Sequence, residues 1–318
     1  MLNILFSAKL SYQDKERLQE NYPEQSFTFC ENMNEAKKYL EEADILVTYG
    51  EDLTSELVTQ AVKLKWIMVL SAGMDRMPFE TIEQRGILVT NARGIHKIPM
   101  AEYAISMLLQ VYRQEKLLMQ LEAEQKWGRS HINIGEISGK TLLVLGTGAI
   151  GQEVARLAKA FQMTTYGISR SGRTVANFDE NYTTDELEKL LPEADFVVSV
   201  LPSTEETRGL LTYEHFQLLP DHAVFLNMGR GDLVSSEDIL KAVQQQEIAH
   251  AVLDVFEEEP LPADHPIWQE ENITITPHTS GVSKHYLTRA LEIFEENLHI
   301  YLGDQKHYVN EVDVTQGY

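Results

Sequence analysis

The sequence predicts an α/β fold built on parallel sheets in two lobes. Two observations carry this expectation. Short apolar runs of strand length alternate with helical stretches from residue 3 onward, a rhythm that sets strands parallel and lays helices on the sheet faces. One such run, Thr141-Leu142-Leu143-Val144-Leu145, opens directly into Gly146-Thr147-Gly148-Ala149-Ile150-Gly151. A helical stretch over 152–161 and a strand-like run over 164–168 follow. Strand, glycine turn, helix and strand then stand in the order that a dinucleotide-binding loop requires.

The chemistry of that loop is specific. Its glycines allow a tight turn and a close backbone approach to a pyrophosphate, whose charge meets free N–H groups and the positive end of a helix. A glycine-rich turn of some other α/β protein is the alternative; the four ordered elements favour the dinucleotide. At the end of the second strand an NAD site expects Asp or Glu for the ribose 2′-hydroxyl. Ser169-Arg170-Ser171-Gly172-Arg173 stands there, and the next carboxylate is Asp179. Two arginines and two hydroxyls suit a 2′-phosphate, which a carboxylate would repel. NADP(H) is therefore the expected preference, with NAD(H) the alternative if the stretch is only a solvated basic loop.

The other elements follow in order. Strands are expected at 3–8, 26–29, 44–48, 66–70 and 87–90, with helices at 12–21, 33–42 and 54–62 between them. The fourth strand ends in Ser71-Ala72-Gly73-Met74-Asp75. The N–H groups of Ala72, Gly73 and Met74 suit a small anion nest, or simply a tight turn. The loop over 91–99, dense in Gly, Pro and basic residues, marks a domain boundary. Pro99 suits a helix start, and 100–127 reads as one long helix leading to the glycine-turn strand. Beyond Arg173, helices are expected at 184–191, 213–218 and 236–246, and strands at 196–201, 223–227, 249–253 and 273–275. The amphipathic stretch 284–302 reads as a helix that returns to the first domain. The expected domains are 1–98 plus 288–318, and 99–287.

Composition bounds the partners. The chain has 318 residues, 43% hydrophobic and 24% charged, an ordinary globular balance with volume for one large or two smaller domains. Lys and Arg number 27 against 49 Asp and Glu, a net charge of −22. That balance argues against nucleic acid or an anionic membrane as partner. Cys30 is alone, so no internal disulfide forms and a reducing compartment is expected. Residues 1–10 lack a basic segment and a long apolar segment, and no apolar run reaches membrane-spanning length. A cytoplasmic location follows as the expectation.

Three strand exits in the second domain carry Arg230, Glu259 and His278. Loops after parallel strands gather at one sheet edge. Hydride transfer between a nicotinamide and a carbinol carbon needs one acid–base group, and histidine suits neutral pH. A carboxylate such as Glu259 would orient the ring and favour the imidazolium. An arginine would grip a substrate carboxylate. Each residue alone has a plainer reading: a capping histidine, a surface ion pair, a solvated acidic loop. After a dinucleotide loop, the three together favour catalysis.

Gly146–Gly151, Asn227-Met228-Gly229-Arg230-Gly231, the stretch 253–261 (LDVFEEEPL), Thr276-Pro277-His278-Thr279-Ser280-Gly281, Ser71–Asp75 and the stretch 89–94 (VTNARG) resemble the signature blocks of the D-isomer-specific 2-hydroxyacid dehydrogenases. The resemblance implies two Rossmann-like lobes, a doubly wound parallel-sheet nucleotide-binding domain inserted in a flavodoxin-like substrate domain. It implies that Arg230 anchors the substrate, that Glu259 pairs with His278, and that His278 is the acid–base. The backbone at Ala72, Gly73 and Met74 would take the substrate carboxylate. Asp254 would sit near the nicotinamide carboxamide, Leu201, Pro202 and Thr207 near the adenosine half, and Met228 elsewhere in the cofactor site; no metal is implied. Ser169-Arg170-Ser171 resembles the NADP-using glyoxylate and hydroxypyruvate reductases, so the implied substrate is a small 2-oxoacid. The alternatives are an NAD-dependent phosphoglycerate-type dehydrogenase and a non-catalytic, dinucleotide-sensing protein like the family's corepressors. Family members are usually dimers through the nucleotide-binding lobe, and a homodimer is expected.

Overall fold

A computed structural model describes residues 1–71, 74, 76–303 and 307–315. The chain divides into two compact units, Met1–Ile95 with Ser283–Tyr318, and His96–Val282.

The first unit is built on β1 (Asn3–Phe6), β2 (Ser26–Phe29), β3 (Ile45–Thr48), β4 (Trp66–Val69) and β5 (Leu88–Asn91). The sheet order is β2-β1-β3-β4-β5 with every pairing parallel, the flavodoxin-like order. β3 and β4 are buried along their whole length, as continuous apolar runs under two helical layers must be. Side chains alternate across the strands. Leu5, Leu46 and Ile67 face one layer, while Ile4, Phe6, Trp66 and Met68 face the other. The second layer is shared by the helix Tyr12–Asn21, which buries Leu18, and by a helix from far along the chain. In the helix Tyr286–Leu302, Ala290, Leu291, Phe294 and Leu298 are buried. Phe294 stacks on Trp66 at 5.6 Å and meets Phe6 edge-on at 5.4 Å. The Trp66 indole N–H is satisfied by Thr90 Oγ1 at 2.9 Å.

The second unit carries β6 (Thr141–Leu145), β7 (Thr164–Ile168), β8 (Glu180–Tyr182), β9 (Phe196–Ser199), β10 (Val224–Asn227), β11 (His250–Leu253) and β12 (Ile273–Ile275). Their order is β12-β11-β10-β9-β6-β7-β8, again all parallel. The chain steps outward in opposite directions from β6. The glycine turn therefore leaves at the topological switch point, where ligands of such sheets bind.

Two sequence expectations are corrected. The helix over 100–127 is two helices, Lys97–Tyr112 and Glu115–Ala123. The break falls at Arg113-Gln114, with Gln114 left-handed at φ 53°. Ala101, Ala104, Ile105 and Leu108 bury the first helix, whereas the second buries no residue. Once the apolar stripe ends, nothing holds the chain on its course. Pro99 sits in the first turn, where its missing N–H costs no helical bond. β8 was not expected, because Glu180-Asn181-Tyr182 has no apolar run; its pairing with β7 makes it a strand. Among the described residues, no helix is long and apolar enough to cross a membrane.

His250 opens β11, and its Nε2 lies 2.9 Å from Thr274 Oγ1 on β12. Burial, helped by the Lys116 charge, pushes its imidazole from 6.5 down to about 4. Between those values the unfolded chain takes up a proton that the folded chain refuses, so stability is lost as pH falls. Urea unfolding near neutrality and near pH ~4.5 is expected to differ by up to roughly 2–3 kcal/mol from this group. In His250→Gln that part of the difference should vanish; an unchanged pH dependence would show that the acid sensitivity lies elsewhere.

Candidate active site

The glycine turn is shaped for an anion. Gly146 adopts φ +105° and its N–H donates to Ile168 O at 2.9 Å. A Cβ at Gly151 would lie 1.9 Å from Gly146 O, so only glycine lets the helix Ala149–Ala160 start this close to the strand. Thr147 is buried, Ala149 exposed, and Ile150 packs on the core. No atom lies within 4 Å of where a Gly148 Cβ would stand, and no side chain caps the helix. Its first N–H groups are left for a ligand.

The stretch 169–173 leaves the carboxyl end of β7. The Ser169 N–H donates to Tyr182 O at 3.1 Å, and the Gly172 N–H donates back to Ser169 O at 3.3 Å. The Ser169 hydroxyl is buried with no hydrogen-bond partner, an unusual state for a polar group. Arg170, Ser171 and Arg173 are exposed. Among the described residues neither arginine is within ion-pair distance of a carboxylate. Asp179 is turned elsewhere: it accepts from the Thr165 N–H at 2.8 Å and pairs with Lys159. Thr165 lies near the amino end of β7, opposite the ligand edge.

Exits of the next three strands interlock. After β9, Thr207 Oγ1 donates to Pro202 O at 2.6 Å and the Leu201 N–H donates to Ser199 Oγ at 3.4 Å. After β10, buried Asn227 accepts from the Gly229 N–H at 3.1 Å and donates to Arg230 O at 2.9 Å. That clamp buries Met228 and sends the Arg230 side chain outward. The Arg230 guanidinium donates to Gly229 O at 2.8 Å and, among the described residues, meets no carboxylate. A Cβ on Gly231 would lie 1.9 Å from the Phe256 carbonyl carbon. The β10 and β11 exit loops therefore touch backbone to backbone.

Glu259 and His278 meet directly. Glu259 Oε1 accepts from the Phe256 N–H at 3.0 Å, and Oε2 lies 2.7 Å from His278 Nδ1. A carboxylate only accepts, so Nδ1 carries the proton in this contact. The His278 side chain is 50% exposed. Its backbone is left-handed at φ 52°, and buried Asp254 holds it there. The Asp254 carboxylate accepts from Thr276 Oγ1 at 2.6 Å, the Thr279 N–H at 2.8 Å and the Ser280 N–H at 2.9 Å. Tyr103 Oη lies 2.7 Å from Thr276 Oγ1. Burial raises the Tyr103 hydroxyl above its ordinary value, so it stays protonated. Sequence reasoning missed Tyr103 and Thr276; the signal was the surplus of Thr and Ser around a buried Asp. Ala72 and Gly73 lie outside the described residues. Met74 is buried, with its sulfur 3.6 Å from Asn91 Nδ2.

The second unit thus gathers a dinucleotide-type loop, an unpaired arginine and a carboxylate-oriented imidazole on strand exits. The family model of the D-isomer specific 2-hydroxyacid dehydrogenase NAD binding domain matches residues 105–280. A glyoxylate reductase of Aeropyrum pernix is 33% identical over 268 residues, 81% of this chain and 79% of its own. A solved D-isomer specific 2-hydroxyacid dehydrogenase family protein of Aeromonas salmonicida superposes with TM-score 0.84 at 35% identity, covering 98% of this chain and 99% of that one. A D-isomer specific 2-hydroxyacid dehydrogenase of Xanthobacter autotrophicus, solved in complex with NADPH and MES, superposes with TM-score 0.80 at 25% identity, covering 100% and 99%. The family match takes in more than half of the chain, and the chain belongs to the D-isomer specific 2-hydroxyacid dehydrogenases, a family of NAD(P)-dependent oxidoreductases.

Proposed function

We propose that this enzyme reversibly reduces a small 2-oxoacid to its D-2-hydroxyacid and prefers NADPH to NADH. The observation that carries the chemistry is the Glu259–His278 contact of 2.7 Å, with Arg230 unpaired on a touching loop. Arg230 holds the substrate carboxylate. Glu259 fixes the imidazole ring by accepting from Nδ1. His278 Nε2 then donates the proton that the reduced carbonyl oxygen takes up. The bound cofactor supplies the hydride. The uncapped helix start at Gly148 would hold its pyrophosphate. Leu201, Pro202 and Thr207 would line the adenosine half, with Met228 beneath the turn beside them. Asp254 has no exposed surface, so we assign it to holding the 276–280 turn rather than to touching the nicotinamide carboxamide.

The NADPH preference rests on Ser169, Arg170, Ser171 and Arg173. A buried hydroxyl without a partner and two guanidinium groups outside ion-pair distance of any described carboxylate, with the Glu206 charge near Arg170, suit a 2′-phosphate, and Asp179 is engaged at the other sheet edge. A related dehydrogenase is solved with NADPH, and a relative is named glyoxylate reductase, which supports the small substrate. A cytoplasmic location belongs to the same reading. So does a homodimer through the second unit.

Initial rates with glyoxylate, hydroxypyruvate and bulkier 2-oxoacids test the reading. His278→Ala should lower turnover by roughly 10²–10⁴-fold while NADPH still binds; near-normal turnover would remove His278 from the mechanism. Arg170→Ala should weaken NADPH binding by roughly tenfold, as loss of a charge-assisted phosphate contact does, and leave NADH unaffected. An equal loss for both cofactors would place Arg170 outside the 2′-phosphate site. Sedimentation should give twice the chain mass of 36.2 kDa; a single-chain mass would end the dimer assignment.

A further inference from the structure

The turn that presents His278 is held from one side by a single helix. At one end of the turn, Tyr103 of helix Lys97–Tyr112 meets Thr276 Oγ1 at 2.7 Å. At the other, His96 Nδ1, beside that helix's start, lies 3.2 Å from Gly281 O. Between these two points sits Asp254, fully buried, accepting from Thr276 Oγ1, Thr279 N and Ser280 N. The direction of the chain of bonds follows from chemistry. Asp254 accepts, so the Thr276 hydroxyl donates its only proton to it. Thr276 Oγ1 then has lone pairs alone for Tyr103, so the Tyr103 hydroxyl donates. A protonated phenol is what its burial ensures.

We infer that Tyr103 is a positioning residue for the acid–base histidine, acting through Thr276 and Asp254. It touches neither the substrate nor the cofactor in this account. Its hydroxyl fixes the Thr276 rotamer, so that the Thr276 proton points at Asp254. Asp254, thus placed, receives the two N–H groups that follow His278. The stake is the left-handed backbone of His278 at φ 52°, a conformation that side chains disfavour and that the bonds of the turn help to hold. Tyr103 and His96 tie both ends of the turn to one rigid helix. The direction in which Nε2 points then depends on a residue 175 positions away in sequence, the difference between 278 and 103. The inference rests on the proposed role of His278.

The test uses the whole enzyme with NADPH and glyoxylate. Tyr103→Phe keeps the ring packing and removes only the hydroxyl. Its kcat should fall by about tenfold, within the ~10²-fold that a 1 Å misplacement of a reacting group costs. KM for glyoxylate and the dissociation constant of NADPH should stay within about twofold, because no binding group has moved. Thr276→Val should lose at least as much kcat, and Thr276→Ser should recover most of that loss. Tyr103→Phe added to Thr276→Val should cost little more, since coupled groups are not additive. An unchanged kcat in Tyr103→Phe, a fall matched by lost cofactor affinity or melting temperature, or independent effects of the two substitutions would each overturn the inference. His278→Ala measured alongside separates the two readings. If it keeps turnover, the acid–base assignment fails; if it is inactive while Tyr103→Phe is normal, only the positioning role fails.

Discussion

The Asp254 carboxylate is the interaction on which the rest of the site depends. A carboxylate with no exposed surface must find hydrogen-bond donors from the protein itself. Here they come from one short turn, a hydroxyl and two backbone N–H groups. Satisfying Asp254 therefore dictates the shape of that turn, including the left-handed residue within it. A left-handed backbone costs a residue such as histidine about 1 kcal/mol, a modest sum beside the cost of leaving the buried oxygens unpaired. The β11 exit holds Asp254, the β12 exit supplies the donors, and the acidic loop after Asp254 brings Glu259 to His278. One buried group thus sets two adjacent strand ends so that Glu259 and His278 meet.

The same edge of the sheet solves an electrostatic difficulty. The chain carries a net charge of −22, which disfavours any anion approaching from a distance. Screening limits that repulsion to about 8 Å at physiological ionic strength, so the groups lining the site decide what binds. Arg170, Arg173 and Arg230 meet no carboxylate among the described residues, although acids outnumber bases almost twofold. An arginine already paired would have to give up its partner before gripping a ligand. Arg173 and Arg230 have none to give up among the described residues, and Arg170 has only the charge of Glu206 nearby, outside ion-pair distance.

The sequence made the parallel sheets, the glycine turn and the strand-exit residues legible, because each leaves a local mark. Wholly apolar runs such as Leu142–Leu145 suit buried strands, and glycines at 146, 148 and 151 gain their meaning from lying between a strand and a helix. What escaped depends on contacts between distant residues. β8 forms because β7 offers an edge, not because Glu180-Asn181-Tyr182 favours extension. The helix break at Gln114 follows from where the core ends, which no window of sequence displays. Tyr103 reads as one more helical aromatic until Thr276, far along the chain, comes to lie against its hydroxyl. Asp254 is expected at the cofactor; what the sequence did not display is that its carboxylate accepts from Thr276, Thr279 and Ser280.

The first unit is discontinuous, and this sets an order of events during synthesis. Strands β1 to β5 come from the first 91 residues, yet one face of their sheet is covered by the helix Tyr286–Leu302. As the chain leaves the ribosome, Ile4, Phe6 and Trp66 have no Phe294 or Leu298 to meet. All of the second unit, 96–282, emerges first and has every strand it needs to fold. The amino-terminal sheet must wait with only the helix Tyr12–Asn21 on this face and Trp66 without Phe294, open to chaperones and to unwanted association, until the helix Tyr286–Leu302 arrives to close it.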